Sequence, residues 1–140
     1  MHFVCNNCYV KNRVPANRLS DRPVCGRCQT ALIPSTPIRL DDESFQKFLT
    51  GSDLPVVIDF WAPWCGPCRQ MGPQYELAAR QLSGNVILGK VDTDTSPEVS
   101  RKYGISGIPA LLAFRAGIEV ARTTGAMQAP QIVSWIQGVV

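Results

Sequence analysis

Asp59-Phe60-Trp61-Ala62-Pro63-Trp64-Cys65-Gly66-Pro67-Cys68 joins the end of an apolar run to two cysteines three positions apart. The run begins at Leu54-Pro55-Val56-Val57-Ile58. Its continuous β-branched and aromatic character reads as a central strand buried on both faces. Behind it the pattern changes to helical spacing from about Gly66 to Leu82, with Met71, Leu77, Ala78 and Leu82 expected to face inward and Pro73 expected to kink the helix. The Cys-x-x-Cys pair therefore sits where a buried strand hands over to a helix. A helix amino end carries partial positive charge and free N–H groups, and both favour a thiolate on Cys65. Cys68, one turn further in, is expected to be the more covered of the two. Exposed Cys65 would attack a disulfide and Cys68 would resolve the mixed disulfide. A metal at this pair would need two further ligands.

Working outward, the elements alternate. Residues 37–40 suggest a short edge strand, and Asp41 and Asp42 are candidate caps for a helix with Phe45, Phe48 and Leu49, ended near Gly51. Residues 85–92 form the next strand. Ser96 and Pro97 open a helix that stops at Gly104. Residues 110–114 and 118–123 make a hairpin, and a last helix holds Ile132, Val133, Trp135 and Ile136, with Trp135 assigned to the core. The order β-α-β-α-β-α-β-β-α implies an α/β fold, a mixed central sheet flanked by helices on both faces.

Two more Cys-x-x-Cys pairs lie upstream, Cys5/Cys8 and Cys25/Cys28, with sixteen residues between them. This is the spacing of a zinc site, in which two tight knuckles each offer two sulfurs to one tetrahedral metal. Iron and a pair of disulfides are the alternatives. Four sulfur ligands would close the site, making one zinc structural. Gly26, Asn6 and Asn7 could supply the positive φ that such turns often use. The segment has too few core residues to fold unaided, and a metal would staple it. His2, the only histidine, reads as a solvated terminal residue. Pro34-Ser35-Thr36-Pro37 reads as a short stiff linker, giving a zinc-binding head over 1–35, similar to a zinc ribbon, and a redox domain over 36–140.

The chain has 140 residues, 45% hydrophobic and 18% charged, with a net charge of +3, so a packed core is expected. The head carries five basic residues against Asp21, a balance of +4; the remainder is −1. No basic run reaches five residues and four zinc-bound thiolates would halve the head's charge, so nucleic-acid binding is not expected. No apolar run reaches the roughly 20 residues of a membrane span. The amino terminus has no basic start followed by a long apolar segment, so a cytoplasmic location is expected, where cysteines serve metals or redox chemistry.

Asp59-Phe60-Trp61-Ala62-Pro63-Trp64-Cys65-Gly66-Pro67-Cys68, the proline-bearing helix, and Tyr103-Gly104-Ile105-Ser106-Gly107-Ile108-Pro109 together resemble the thioredoxin family over about residues 38–140. The added four-cysteine head resembles that of the zinc-containing second thioredoxin of bacteria. The resemblance implies a thioredoxin fold and a protein-disulfide reductase working through Cys65 and Cys68, with no bound organic cofactor. It implies that Asp59 accepts the proton of Cys68 through water, that Lys90 pairs with Asp59, and that Pro109 follows a cis peptide where the Ile108 backbone meets substrate. Trp64, Gly66, Pro67 and Gly125 would line the substrate groove. Asp59 held for hydrogen bonding alone and Lys90 as a solvated strand-end residue remain open, as does Gly125 as a plain turn glycine. The implied partners are an NADPH-dependent thioredoxin reductase and disulfide proteins such as ribonucleotide reductase, methionine sulfoxide reductase and peroxiredoxins. The alternative is a zinc head that binds a partner or senses oxidants, with secondary redox activity.

Overall fold

A computed structural model describes all of residues 1–140. Its strands are β1 (His2–Val4), β2 (Lys11–Arg13), β3 (Ile38–Leu40), β4 (Val56–Trp61), β5 (Ile87–Asp92), β6 (Ala110–Arg115) and β7 (Ile118–Thr124); its α-helices are α1 (Phe45–Gly51), α2 (Gly66–Leu82), α3 (Pro97–Lys102) and α4 (Ala129–Val139). A 3-10 helix spans Ala16–Asp21. The five-stranded sheet has the order β3-β5-β4-β6-β7. β5 runs parallel to β3 and β4, while β6 is antiparallel to both β4 and β7. This is the mixed sheet expected from the alternation of elements, with β3 at an edge.

Strand β4 is central, and its alternation divides the core. Val56, Ile58 and Phe60 face one layer with Phe45, Phe48 and Val99; Val57 faces the other with Met71, Tyr75, Ile132 and Ile136. Helices α1 and α3 thus cover one side and α2 and α4 the other. Two inward assignments differ from expectation. Leu77 is 47% exposed, because the buried stripe of α2 runs through Cys68, Met71, Tyr75, Ala78, Ala79 and Leu82. Residue 77 lies outside the i, i+3, i+4 spacing of that stripe. Trp135 is only partly buried at the margin of the α2–α4 layer.

The head forms a two-stranded antiparallel sheet from β1 and β2. Phe3, Val4, Val14 and Leu32 belong to the same apolar cluster as Phe45, Phe48 and Phe114. The core therefore continues from head to sheet rather than stopping at Pro34–Pro37. Gly51 permits this contact, because a Cβ there would overlap Val4 Cγ2. His2 is not a free terminal residue. Its backbone N–H donates to Asp53 Oδ2 (2.6 Å), its ring Nδ1 lies 3.3 Å from the same oxygen, and Asp53 N–H donates to His2 O (3.0 Å). No helix is long and apolar enough to cross a membrane.

Candidate functional site

Two sulfur clusters define the chemistry. In the first, Cys65 and Cys68 are joined as a disulfide with Cα atoms 5.2 Å apart. Cys65 is the N-cap of α2, and its Sγ accepts the Cys68 N–H at 3.3 Å. Pro67 occupies the first turn, where its missing N–H costs nothing. Cys65 is 5% exposed and Cys68 3%, so the expected contrast in coverage is absent from this oxidised pair. The linked pair packs with Ala62, Trp61 and Ile108.

Around the disulfide, Trp64 is 69% exposed, and its indole N–H donates to Asp94 Oδ2 at 3.0 Å. Sequence reasoning missed Asp94; in the run Asp92-Thr93-Asp94-Thr95 nothing local announces a partner across the loops. The Ile108–Pro109 peptide is cis, and Ile108 O lies 3.9 Å from Cys65 Sγ. Gly125, at φ +100°, donates its N–H to Pro109 O at 2.9 Å. That φ favours glycine. A Cβ at Gly66 would meet no heavy atom within 4 Å, so the surface beside Cys65 is open.

Asp59 is fully buried and neither carboxyl oxygen has a hydrogen-bond partner. Burial pushes its pKa up to about 7, against a smaller lowering by Lys90. Lys90 stands opposite Asp59 in the β4–β5 register, but its ammonium sits 4.4 Å from the centre of the Trp61 ring. Tyr75, also fully buried, places its hydroxyl 3.0 Å from Val57 O and 2.9 Å from Gly89 O, bracing β4 and β5 beside Asp59. Tyr75 was also not anticipated; its position on the apolar stripe suggests only packing.

The second cluster holds Cys5, Cys8, Cys25 and Cys28, whose sulfurs all lie within 4.8 Å of one another. Cys5 and Cys28 are 3.4 Å apart, Cys8 and Cys25 3.6 Å. Four thiolates around one zinc stand about 3.8 Å apart, so the donor set fits that ion. The two knuckles are built alike. Cys5 N–H donates to Val10 O and Tyr9 N–H to Cys5 O; Cys25 N–H donates to Thr30 O and Gln29 N–H to Cys25 O. The positive φ values fall on Tyr9 (61°) and Gln29 (65°), just after each pair, instead of on Asn6, Asn7 or Gly26. Backbone N–H groups of Asn7 and Arg27 donate to Cys5 and Cys25 sulfur, as thiolate ligands require. The Thr30 hydroxyl and other neighbouring donors hold Cys28 at about 5. Against the lowering by the Val10 backbone, burial and the other three sulfurs raise Cys8 to about 11. Like charges crowded this closely call for a cation.

Comparison with known proteins matches both parts. The thioredoxin family profile covers residues 36–138, and the profile described as thioredoxin 2, N-terminal, covers residues 4–30. Thioredoxin C-3 of Corynebacterium nephridii is 41% identical over 136 residues, 97% of this chain and 93% of its own. Thioredoxin 1 of a Nostoc species is 42% identical over 93 residues, 66% of this chain and 87% of its own. Thioredoxin of a Synechocystis species is 39% identical over 103 residues, 74% and 95% of the two chains. A helix-capping disulfide in a matching fold, behind a matching zinc-ribbon head, leaves one conclusion: the chain belongs to the thioredoxin family and is a disulfide oxidoreductase.

Proposed function

We propose that the protein is a general protein-disulfide reductase that passes two electrons to its substrates through Cys65 and Cys68. The observation that carries this reading is the pair's placement at the amino end of α2, with Cys65 facing the Ile108 carbonyl and an open surface at Gly66. The Cys65 thiolate attacks one sulfur of a substrate disulfide; a mixed disulfide forms and the first substrate thiolate leaves, taking up a proton. Asp59, with a pKa near 7, takes the proton of Cys68 through water at neutral pH. The Cys68 thiolate then attacks Cys65 Sγ, the second substrate thiolate departs and takes up a proton, and Cys65–Cys68 closes as a disulfide. Lys90 adds positive charge near Asp59. Trp64, Gly66, Pro67, Ile108, Pro109 and Gly125 shape the substrate surface, with the Ile108 backbone offered to an extended chain.

An NADPH-dependent thioredoxin reductase restores the dithiol, and ribonucleotide reductase, methionine sulfoxide reductase and peroxiredoxins are the expected acceptors, in the cytoplasm. Residues 1–35 constitute the head and 36–140 the redox unit. Cys5, Cys8, Cys25 and Cys28 hold one zinc, which closes the two knuckles on each other and leaves no position for a substrate.

Insulin reduction with NADPH and reductase tests the proposal. Cys65→Ser abolishes turnover, and Cys68→Ser accumulates mixed disulfides. Turnover by Cys65→Ser overturns the role of Cys65.

A further inference from the structure

Asp59 lies in a row of side chains that crosses three strands. In the register of the sheet Asp59 stands opposite Lys90, and Lys90 stands opposite Arg39. Side chains opposite each other share a face, and here it is the face of Val57 and Leu88, turned toward α2. The row is graded in exposure. Arg39, on edge strand β3, is exposed; Lys90 is half-buried; Asp59 is fully buried. The edge strand thus sets a second cation beside the first, roughly 10 Å from the buried carboxyl across two strand spacings.

Like charges directly opposite each other repel. The Lys90 ammonium is turned away from β3: it lies over the Trp61 ring, 4.4 Å from the ring centre, and Trp61 belongs to β4, as Asp59 does. Arg39 repels it from one side and the π face attracts it from the other. Neither cation is held by an ion pair; the ion pairs of the chain are His2–Asp53, Arg18–Asp21 and Arg122–Glu119. Arg39, Lys90 and Trp61 line one cavity of about 390 Å³, together with Asp41, Asp92 and Tyr9. Asp41 accepts the Glu43 and Ser44 N–H groups, and Asp92 accepts the Asp94 N–H. From α2 the ionisable groups beside the row are Tyr75, bonded to Val57 O and Gly89 O, and the Cys65–Cys68 pair.

Resting on the proton-accepting role given to Asp59 above, we infer that Arg39 is a positioning residue for disulfide exchange: its guanidinium keeps the Lys90 ammonium on Trp61, on the Asp59 side of β5, and so favours the ionised Asp59 that receives the Cys68 proton. The guanidinium acts through Lys90 and needs no bond to the carboxyl. A neutral residue at position 39 lets the ammonium move toward the strand edge and solvent. An acidic residue draws it there as an ion pair. Both changes withdraw positive charge from Asp59 and raise its pKa.

Arg39 is exposed on an edge strand, so its substitutions leave the core intact. Carboxyl-carbon NMR follows Asp59 from about pH 5 to pH 9 in the oxidised full-length chain, as wild type, Arg39→Lys, Arg39→Gln and Arg39→Glu. The wild type titrates near 7, and Arg39→Lys matches it. Arg39→Gln raises the midpoint by about half a pH unit and Arg39→Glu by about one, the size of a partly screened charge at this range. The acidic limb of insulin reduction with NADPH and reductase moves by the same amounts. Four equal midpoints, or Arg39→Lys shifted as far as Arg39→Glu, overturn the role of Arg39. Midpoints that move in this order while the acidic limb stays fixed overturn the proton-accepting role of Asp59, and Arg39's part in the reaction with it.

Discussion

Asp59 is a carboxyl group enclosed in the central strand without a hydrogen bond, and its pKa of about 7 against an ordinary 3.8 has a thermodynamic consequence. Between those values the unfolded chain has released the proton while the folded chain keeps it. The folded state binds more protons, so stability falls as pH rises through about 4 to 7 and stays reduced above. A shift of this size corresponds to on the order of 4 kcal/mol. Asp59→Asn removes the ionisation, so urea unfolding of the oxidised protein should show the variant gaining stability over wild type as pH increases from 4 to 8. A stability difference between variant and wild type that does not grow over this range contradicts the burial-raised pKa. The same substitution removes a base that is half ionised near neutrality. The reduction rate at pH 7 should fall by roughly a hundredfold, in the range of general-base effects, with the deficit shrinking as alkaline pH ionises Cys68 directly.

At the scale of elements, α2 shows what periodicity reads well and where it slips. Its limits, its place behind β4 and the inward positions Met71, Ala78 and Leu82 follow from the sequence. Leu77 misled because hydrophobicity alone does not fix a helix's rotation; Tyr75 and Ala79 complete the buried stripe in its place. Leu77→Gln should therefore change stability by less than about 0.5 kcal/mol. Tyr75→Phe, losing a buried hydroxyl between two strand carbonyls, should cost about 1 kcal/mol, both read from denaturant midpoints. The disulfide pair, the four-cysteine cluster and the α/β order were legible because spacing and chemistry are local. The Trp64–Asp94 bond, the head's two strands and their docking were not, because each depends on partners that three-dimensional packing supplies. Docking of β1 on the end of α1 hinges on Gly51. Gly51→Ala should destabilise by about 1–3 kcal/mol through overpacking against Val4, while Gly72→Ala, with open space around it, should not.

For the whole molecule, the head's apolar residues and those of the redox domain form one cluster. The chain should therefore unfold in a single transition, and stripping metal under reducing conditions should lower that one midpoint instead of melting the head alone; two separated calorimetric transitions would contradict the shared core. The division of labour among six cysteines is the central claim: four clamp an ion and two exchange electrons. Thiol counting with elemental analysis on the same sample, before and after NADPH with thioredoxin reductase, tests it most directly. The account predicts one zinc per chain throughout and two thiols, Cys65 and Cys68, that appear on reduction and vanish when a protein disulfide is added. Metal bound at Cys65 and Cys68, or a pair there that never oxidises, contradicts it.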